Sequence, residues 1–333
     1  MKTSNSRALL SPPNLLVALR AGFDAIANHV ALILFPIALD LYLWLGPHLR
    51  LKQLIESLVS QLVGLYALQD PGAKEMLQVV KDVWMEIAAQ FNLFIALRTY
   101  PVGIPSLLAS ASPAGTPTGT PLMWEINSMG RAFLVWLLIA ALGLVFGALF
   151  FDMVSQAVLT GEVNWRMTWK QWPQTSLQVL LLTLFWVSVL IAVSIPGSFI
   201  ISILALGGMV LVQCALFLYA GLLVWLLFHL FFSPHGIFVY RHKAMLSIRT
   251  GFRLTRQTFL STALFFLAIL VLSRGLDMLW QVPPATSWLK IVGVVGHAFV
   301  ATSLLASSFV YYRDADRWVR NRSMRANPSQ NQA

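Results

Sequence analysis

The feature that most constrains this chain is an apolar run, residues 177–232, that contains no Asp, Glu, Lys or Arg. As a single helix its 56 residues would extend about 84 Å, whereas the hydrocarbon core of a bilayer is about 30 Å thick. The run must therefore fold back on itself. Pro196 and Gly197, followed by Ser198, are predicted to supply the break, and Gly207 and Gly208 then divide the second part of the run. We predict two crossings with residues 198–206 as a short interfacial or re-entrant piece between them; three crossings are the alternative.

Four further apolar segments of about 20 residues each are long enough to cross a bilayer as helices. They cover residues 25–45, 132–151, 259–279 and 289–311. Hydrophobic residues make up 58% of the chain and charged residues only 11%, so a water-soluble domain could not bury this much apolar surface. We predict an all-α fold: a polytopic membrane helix bundle of about six transmembrane helices, with interfacial amphipathic helices.

The placement of charge favours six crossings over seven. With six crossings and a cytoplasmic N-terminus, the cytoplasmic pieces carry 15 of the 23 basic residues and five of the 13 acidic residues. Seven crossings would put the five basic residues between Arg241 and Arg256 outside, with no acid among them. Because cytoplasmic loops collect Lys and Arg, we expect a multi-pass protein of the inner (plasma) membrane with both termini in the cytoplasm. The net charge of +10 then faces anionic lipid headgroups, and no nucleic-acid partner is needed to explain it.

This topology divides the chain into three parts. Residues 1–24 form a cytoplasmic tail with an amphipathic helix, and residues 313–333 form a basic cytoplasmic tail that is partly disordered. Residues 25–312 form the six-span membrane domain, which includes an extracytoplasmic helical hairpin and loop, residues 46–131. The loop from 109 to 121 is rich in Ser, Thr, Pro and Gly, which is typical of a mobile segment.

Two apolar stripes at helical spacing lie in the outer segment, on either side of a predicted turn at Asp70, Pro71 and Gly72. Their apolar surface must be buried against each other, the bilayer or a partner. We therefore predict a partner surface on the hairpin, and the alternative is a hairpin that caps its own bundle or lies on the bilayer. The candidate residues are Leu58, Leu62, Trp84 and Ile87.

Residues 247–259, with the sequence SIRTGFRLTRQTF, precede the fifth crossing. This stretch resembles the cytoplasmic segment in the membrane domain of bacterial glycerophosphodiester phosphodiesterases and of related polytopic proteins. Gly251 and Gln257 depart from that pattern, which usually has Ser and Gly there. The resemblance implies a polytopic membrane domain and carries over no catalytic residues. The matching positions are Ile248, Arg249, Phe252, Arg253, Leu254, Thr255, Arg256 and Phe259.

The three arginines of this stretch, Arg249, Arg253 and Arg256, are spaced i, i+4 and i+7 and therefore share one face of a helix. Ile248 and Phe252 lie beside them, so the helix is expected in the inner interface. Aligned guanidinium groups are suited to the oxygens of a lipid phosphate. The segment is therefore a lipid-phosphate candidate, and simple anchoring at the interface is the alternative.

Asp40 and His297 are the ionisable residues furthest inside apolar segments. Ionisable residues within a membrane are expensive and commonly functional. By helical rise both lie in the outer half of the bilayer, so we predict an intramembrane polar pair; a proton-linked transport role is the alternative. Arg274 and Asp277, one turn apart, are predicted to pair locally.

No HExxH, paired CxxC, P-loop, nucleophile elbow or dinucleotide fingerprint occurs in the chain. His229, His235 and His242 are six and seven residues apart, which does not give a helical metal pair. We therefore predict no cofactor, no metal and no enzymatic activity. The expected function is a lipid- or partner-binding accessory protein of the membrane, and a permease or transporter subunit is the alternative.

Overall fold

The computed structural model describes residues 13–69, 74–110, 113 and 115–326. The predicted turn at Asp70, Pro71 and Gly72 lies outside these residues, as do residues 1–12 and 327–333 of the two predicted tails. Eleven α-helices are described: α1 Leu15–Asn28, α2 Leu34–Leu45, α3 Lys52–Gln69, α4 Lys74–Gln90, α5 Met129–Thr160, α6 Trp165–Leu204, α7 Met209–Leu230, α8 His235–Tyr240, α9 Ala244–Gln257, α10 Phe259–Gln281 and α11 Lys290–Ala326.

Short 3₁₀ turns connect several helices at Val30–Ile33, Leu93–Leu97, Leu108–Ser110 and Ala205–Gly207. Two three-residue strands, β1 His48–Arg50 and β2 Met123–Glu125, pair in parallel just before α5 begins. We call the side of the bundle at this strand pair the ribbon end, and the side at α9 the arginine end.

The predicted all-α membrane bundle is confirmed. Helices α5, α6, α7, α10 and α11 are each long and apolar enough to cross a membrane, and α1 with α2 gives a sixth crossing if this bent pair is one span. Helix α11 is central: 61% of its most apolar 18-residue stretch is buried. No residue in the corresponding stretch of the α7 span is buried. The core centres on Phe151 of α5, whose ring contacts Phe238 and Phe309 at centroid distances of 5.4 and 6.0 Å.

The first crossing differs from the continuous span predicted for residues 25–45. Helix α1 ends at Asn28, and the chain bends by 92° before α2. His29 takes a non-helical conformation there, and its side chain contacts the carbonyl oxygen of Ala25. The N-terminal amphipathic helix and α2 thus form a sharply bent pair, which is the geometry of a broken span or of a re-entrant loop.

Close backbone packing holds α1 against α11. Ser307 donates a hydrogen bond to the carbonyl oxygen of Leu19, and a Cβ added at Gly22 would lie 2.1 Å from the Ser307 hydroxyl. The exposed face of α1 carries the pair Arg20 and Asp24, with 3.6 Å between the charged atoms.

The break predicted at Pro196 is also wrong, although the two crossings in this run are present. Helix α6 continues through Pro196 to Leu204, and the chain reverses at Gly208, whose φ of 109° favours glycine. Residues 198–206 are therefore the end of α6 and a 3₁₀ turn. Proline at position 196 removes one backbone donor from α6 but does not end the helix.

Part of the predicted outer loop enters the bundle. Residues 91–110, which we call the inserted segment, follow α4 and pack against two glycines of α5. A Cβ at Gly143 would lie 2.4 Å from the carbonyl oxygen of Leu97, and one at Gly147 would lie 2.8 Å from the Cα of Gly103. By helical rise these glycines lie about 21 and 27 Å from Met129. The segment therefore reaches just past the middle of α5.

Candidate functional site

The three arginines of the phosphate candidate lie beside a groove between helices α6, α7 and α9. Helix α9 is amphipathic because its small and apolar residues, including Ser247, Gly251 and Leu254, are buried on one face. Gly251 permits the close approach, since a Cβ there would lie 2.8 Å from the backbone of Phe232. This packing turns the opposite face of α9 and its arginines outward.

The groove has a volume of about 440 Å³ and an almost entirely apolar floor. Phe185 and Val189 come from α6, and Leu226 and Leu230 come from α7. Helix α9 supplies the remaining lining residues, which are Ile248, Arg249, Phe252, Arg253 and Arg256. An apolar floor bordered by guanidinium groups matches an amphiphile with an anionic head.

The charge of this groove is uncompensated. Among the described residues no carboxylate lies within ion-pair distance of Arg249, Arg253 or Arg256, although other arginines at the same end do have such partners. Arg241, for example, pairs with Asp152 at 2.5 Å. All three groove arginines are exposed, so their donors are available to a ligand.

Asp40 is fully buried, and its partners come from the inserted segment. Its carboxylate accepts hydrogen bonds from the Ser106 hydroxyl and from the backbone N–H groups of Leu107 and Leu108. These donors lie at the start of the short 3₁₀ turn, so the carboxylate caps that turn. Asp40 therefore fastens α2 to the inserted segment.

His297 has a different partner. Its Nδ1 lies 2.7 Å from an Asp277 carboxylate oxygen. The predicted direct pair of Asp40 with His297 is thus replaced by two separate contacts. The predicted local pair of Arg274 with Asp277 is likewise replaced, because α10 and α11 are antiparallel here and bring Asp277 to His297.

The predicted partner surface lies on the α3–α4 hairpin. Leu58, Leu62, Trp84 and Ile87 are exposed there. The first three line an apolar groove of about 380 Å³ between the two helices. That a partner binds this surface remains a prediction.

The described residues contain no cluster of three or more His, Cys, Asp or Glu side chains that could hold a metal ion. His229 and His235 have separate partners, the carbonyl oxygen of Trp225 and the hydroxyl of Ser308.

The sequence does not predict the ion pair of Asp152 with Arg241. The two residues are separated by 88 positions, so no local spacing indicates that they meet.

Comparisons with protein-family models, curated proteins and solved structures found no match to this chain. The resemblance of residues 247–259 to the phosphodiesterase membrane domain therefore remains a prediction.

Proposed function

We propose that this chain is a non-enzymatic accessory protein of the plasma membrane that binds an anionic phospholipid of the cytoplasmic leaflet. The observation that carries the proposal is the groove at the arginine end, where three unpaired arginines border an apolar cavity. In this assignment the arginine end faces the cytoplasm, in agreement with the excess of basic residues on that side.

The binding mode follows from the chemistry of the groove. The guanidinium groups of Arg249, Arg253 and Arg256 would donate charge-assisted hydrogen bonds to the phosphate oxygens. An acyl chain would lie between Phe185 of α6 and Leu226 of α7, on the apolar floor. A zwitterionic lipid carries an ammonium group that these arginines would repel, so anionic lipids should be preferred.

Analysis of copurifying lipids tests this function. The protein is extracted in mild detergent, and its bound lipids are identified by mass spectrometry. We expect the triple variant R249Q/R253Q/R256Q to lose most bound anionic phospholipid, about ten-fold or more, since each lost charge-assisted contact is worth about 1.5 kcal/mol or more.

The matched control is R166Q/K170Q/R317Q, which removes the same charge from exposed positions at the arginine end but outside the groove. It should retain bound lipid. Equal loss in both variants would show that net charge, and not the groove, holds the lipid, and would contradict the proposal.

A permease or transporter subunit is the second candidate, and the sharply bent pair of α1 and α2 favours it. Discontinuous helices and non-helical segments within a membrane often line transport routes. Here, however, the inserted segment is packed directly on Gly143 and Gly147, and Asp40 is occupied by three donors. We therefore expect reconstituted protein to show no solute flux above empty vesicles. Flux that disappears in Asp40→Asn would favour the transporter instead.

A further inference from the structure

A second cavity at the arginine end is polar and distinct from the lipid groove. Its volume is about 120 Å³. Gln171, Gln174, Thr175 and Gln178 line it from α6, where their i, i+3, i+4 and i+7 spacing places them on one helix face. The facing wall consists of Ile237, Arg241, His242 and Lys243.

Buried residues hold this wall in position. Arg241 pairs with the buried Asp152 of α5, and Asp152 also accepts a hydrogen bond from Gln156 at 2.9 Å. The backbone of Arg241 is in the left-handed region, with a φ of 55°. A non-glycine residue in this conformation costs free energy, and surrounding contacts must hold it there.

Two buried polar atoms of the lining residues have no hydrogen-bond partner in the described part of the chain: Oε1 of Gln171 and Nδ1 of His242. Burial lowers the pKa of His242 below its ordinary value, so its ring is neutral near pH 7. Asp152 pairs with Arg241, and the opposite charges of Asp316 and Arg320 both act on His242. Lys243 adds a further positive charge to the lining, which leaves the cavity net positive.

The volume of the cavity and the hydrogen-bond donors of its lining limit which ligands it can bind. The cavity has room for about four water molecules, so it suits a group of one central atom and four oxygens. Arg241 and Lys243 offer charged donors to an oxyanion. Among the described residues, the Oε1 atom of Gln171 lacks a donor in this side-chain orientation. The P–O–H group of a singly protonated phosphate supplies one, and a monoester carries that group below its second pKa of about 6. The diester phosphate of an ordinary phospholipid has no such group.

We propose that this cavity is a binding site for a phosphate that carries a free hydroxyl, which is either inorganic phosphate or the terminal phosphate of a monoester. The site is separate from the lipid groove, because Gln178 accepts a hydrogen bond from the backbone N–H of Ala244 and so joins α6 to the start of α9 between them. The existence of this phosphate site therefore does not depend on the proposed lipid-binding function.

Calorimetric titration of the full-length protein in phosphate-free detergent buffer tests this site. One arm uses inorganic phosphate, and the other uses a short-chain phosphatidic acid, whose phosphate is a monoester. We expect at least one probe to bind, and Lys243→Gln and Gln171→Leu each to weaken that probe about ten-fold. The stronger probe identifies the source of the phosphate.

Arg253→Gln is the control, because Arg253 lines the groove and not the cavity. It should leave binding of inorganic phosphate unchanged. Both cavity variants are chosen at positions that do not leave Asp152 unpaired, and their thermal unfolding should match the wild type. No binding of either probe would mean that the cavity holds only water, and binding that is unchanged in both variants would place the phosphate elsewhere; each result would overturn the proposal.

Discussion

The buried carboxylates of this molecule are stabilised by partners that are distant in the sequence. Asp40 is capped by donors that lie more than 60 positions away, and Asp152 is paired with Arg241. A buried carboxylate costs several kcal/mol unless such partners are present. The sequence therefore indicates that these residues need partners, but not which ones.

Asp40→Asn should lower the stability of the bundle, because the donors bond to both carboxylate oxygens and the amide keeps only one of them. The NH2 group that replaces the other oxygen cannot accept from the donor it faces. We expect a loss of about 2 kcal/mol in unfolding experiments in detergent. A double-mutant cycle of Asp40→Asn with Ser106→Ala should be less than additive by at least about 0.5 kcal/mol. If the stability losses at Asp40 and Ser106 are additive, and those at Asp40 and His297 are strongly coupled, the direct contact of Asp40 with His297 would be supported instead.

His48 at the ribbon end provides a test of pH dependence. It is fully buried, its Nε2 donates to the carbonyl oxygen of Leu43, and its Nδ1 has no partner in the described residues. Burial is the main reason that its pKa is lowered, so the folded protein holds the ring neutral. The unfolded chain takes up a proton below about pH 6.5, and stability should therefore fall as the pH drops below that value.

The measurement is the thermal midpoint of wild type and His48→Gln between pH 8 and pH 5. Wild type should lose stability relative to the variant on the acid side of this range. Parallel curves for the two proteins would show that His48 does not titrate on unfolding.

At the scale of elements, the length of an apolar run predicts crossings well, because the thickness of the bilayer sets that length. It predicts breaks less well. Pro196 lies inside the continuous helix α6, whereas the bend at His29 occurs without a proline or glycine beside it. The inserted segment was also missed, since its apolar stretch from Leu93 to Leu97 is short and reads as part of the outer loop.

Gly143 and Gly147 should be essential for the inserted segment. Small residues four apart on a membrane helix usually admit a second helix, but here they admit a non-helical backbone. Gly143→Ala would place a methyl group against the carbonyl oxygen of Leu97, and we expect destabilisation of about 1 to 3 kcal/mol. The experiment compares thermal unfolding in detergent.

Gly221→Ala in α7 is the matched control, because a Cβ there has no neighbour within 4 Å. Its stability should be unchanged or slightly raised, since alanine favours helix more than glycine. Equal effects at Gly143 and Gly221 would mean that the inserted segment does not pack against the glycines of α5.

At the scale of the whole molecule, the proposed six crossings and the basic arginine end together predict the orientation. In a background with Cys214→Ser, a cysteine at Thr118 should react with a membrane-impermeant maleimide in intact cells. One at Arg317 should react only after permeabilisation. The reverse pattern would invert the topology, and labelling of both in intact cells would contradict the six-crossing arrangement.

The central claim is that an anionic phospholipid occupies the groove between α6, α7 and α9, and photocrosslinking tests it most directly. A phosphatidylglycerol with a diazirine in its acyl chain is placed with the protein in lipid nanodiscs, irradiated, and its attachment sites are mapped by mass spectrometry. We predict adducts concentrated on Phe185, Val189 and Leu226, reduced several-fold in R249Q/R253Q/R256Q. Adducts spread evenly over exposed residues of α7 such as Leu218, with the same yield from a phosphatidylcholine probe, would contradict the account.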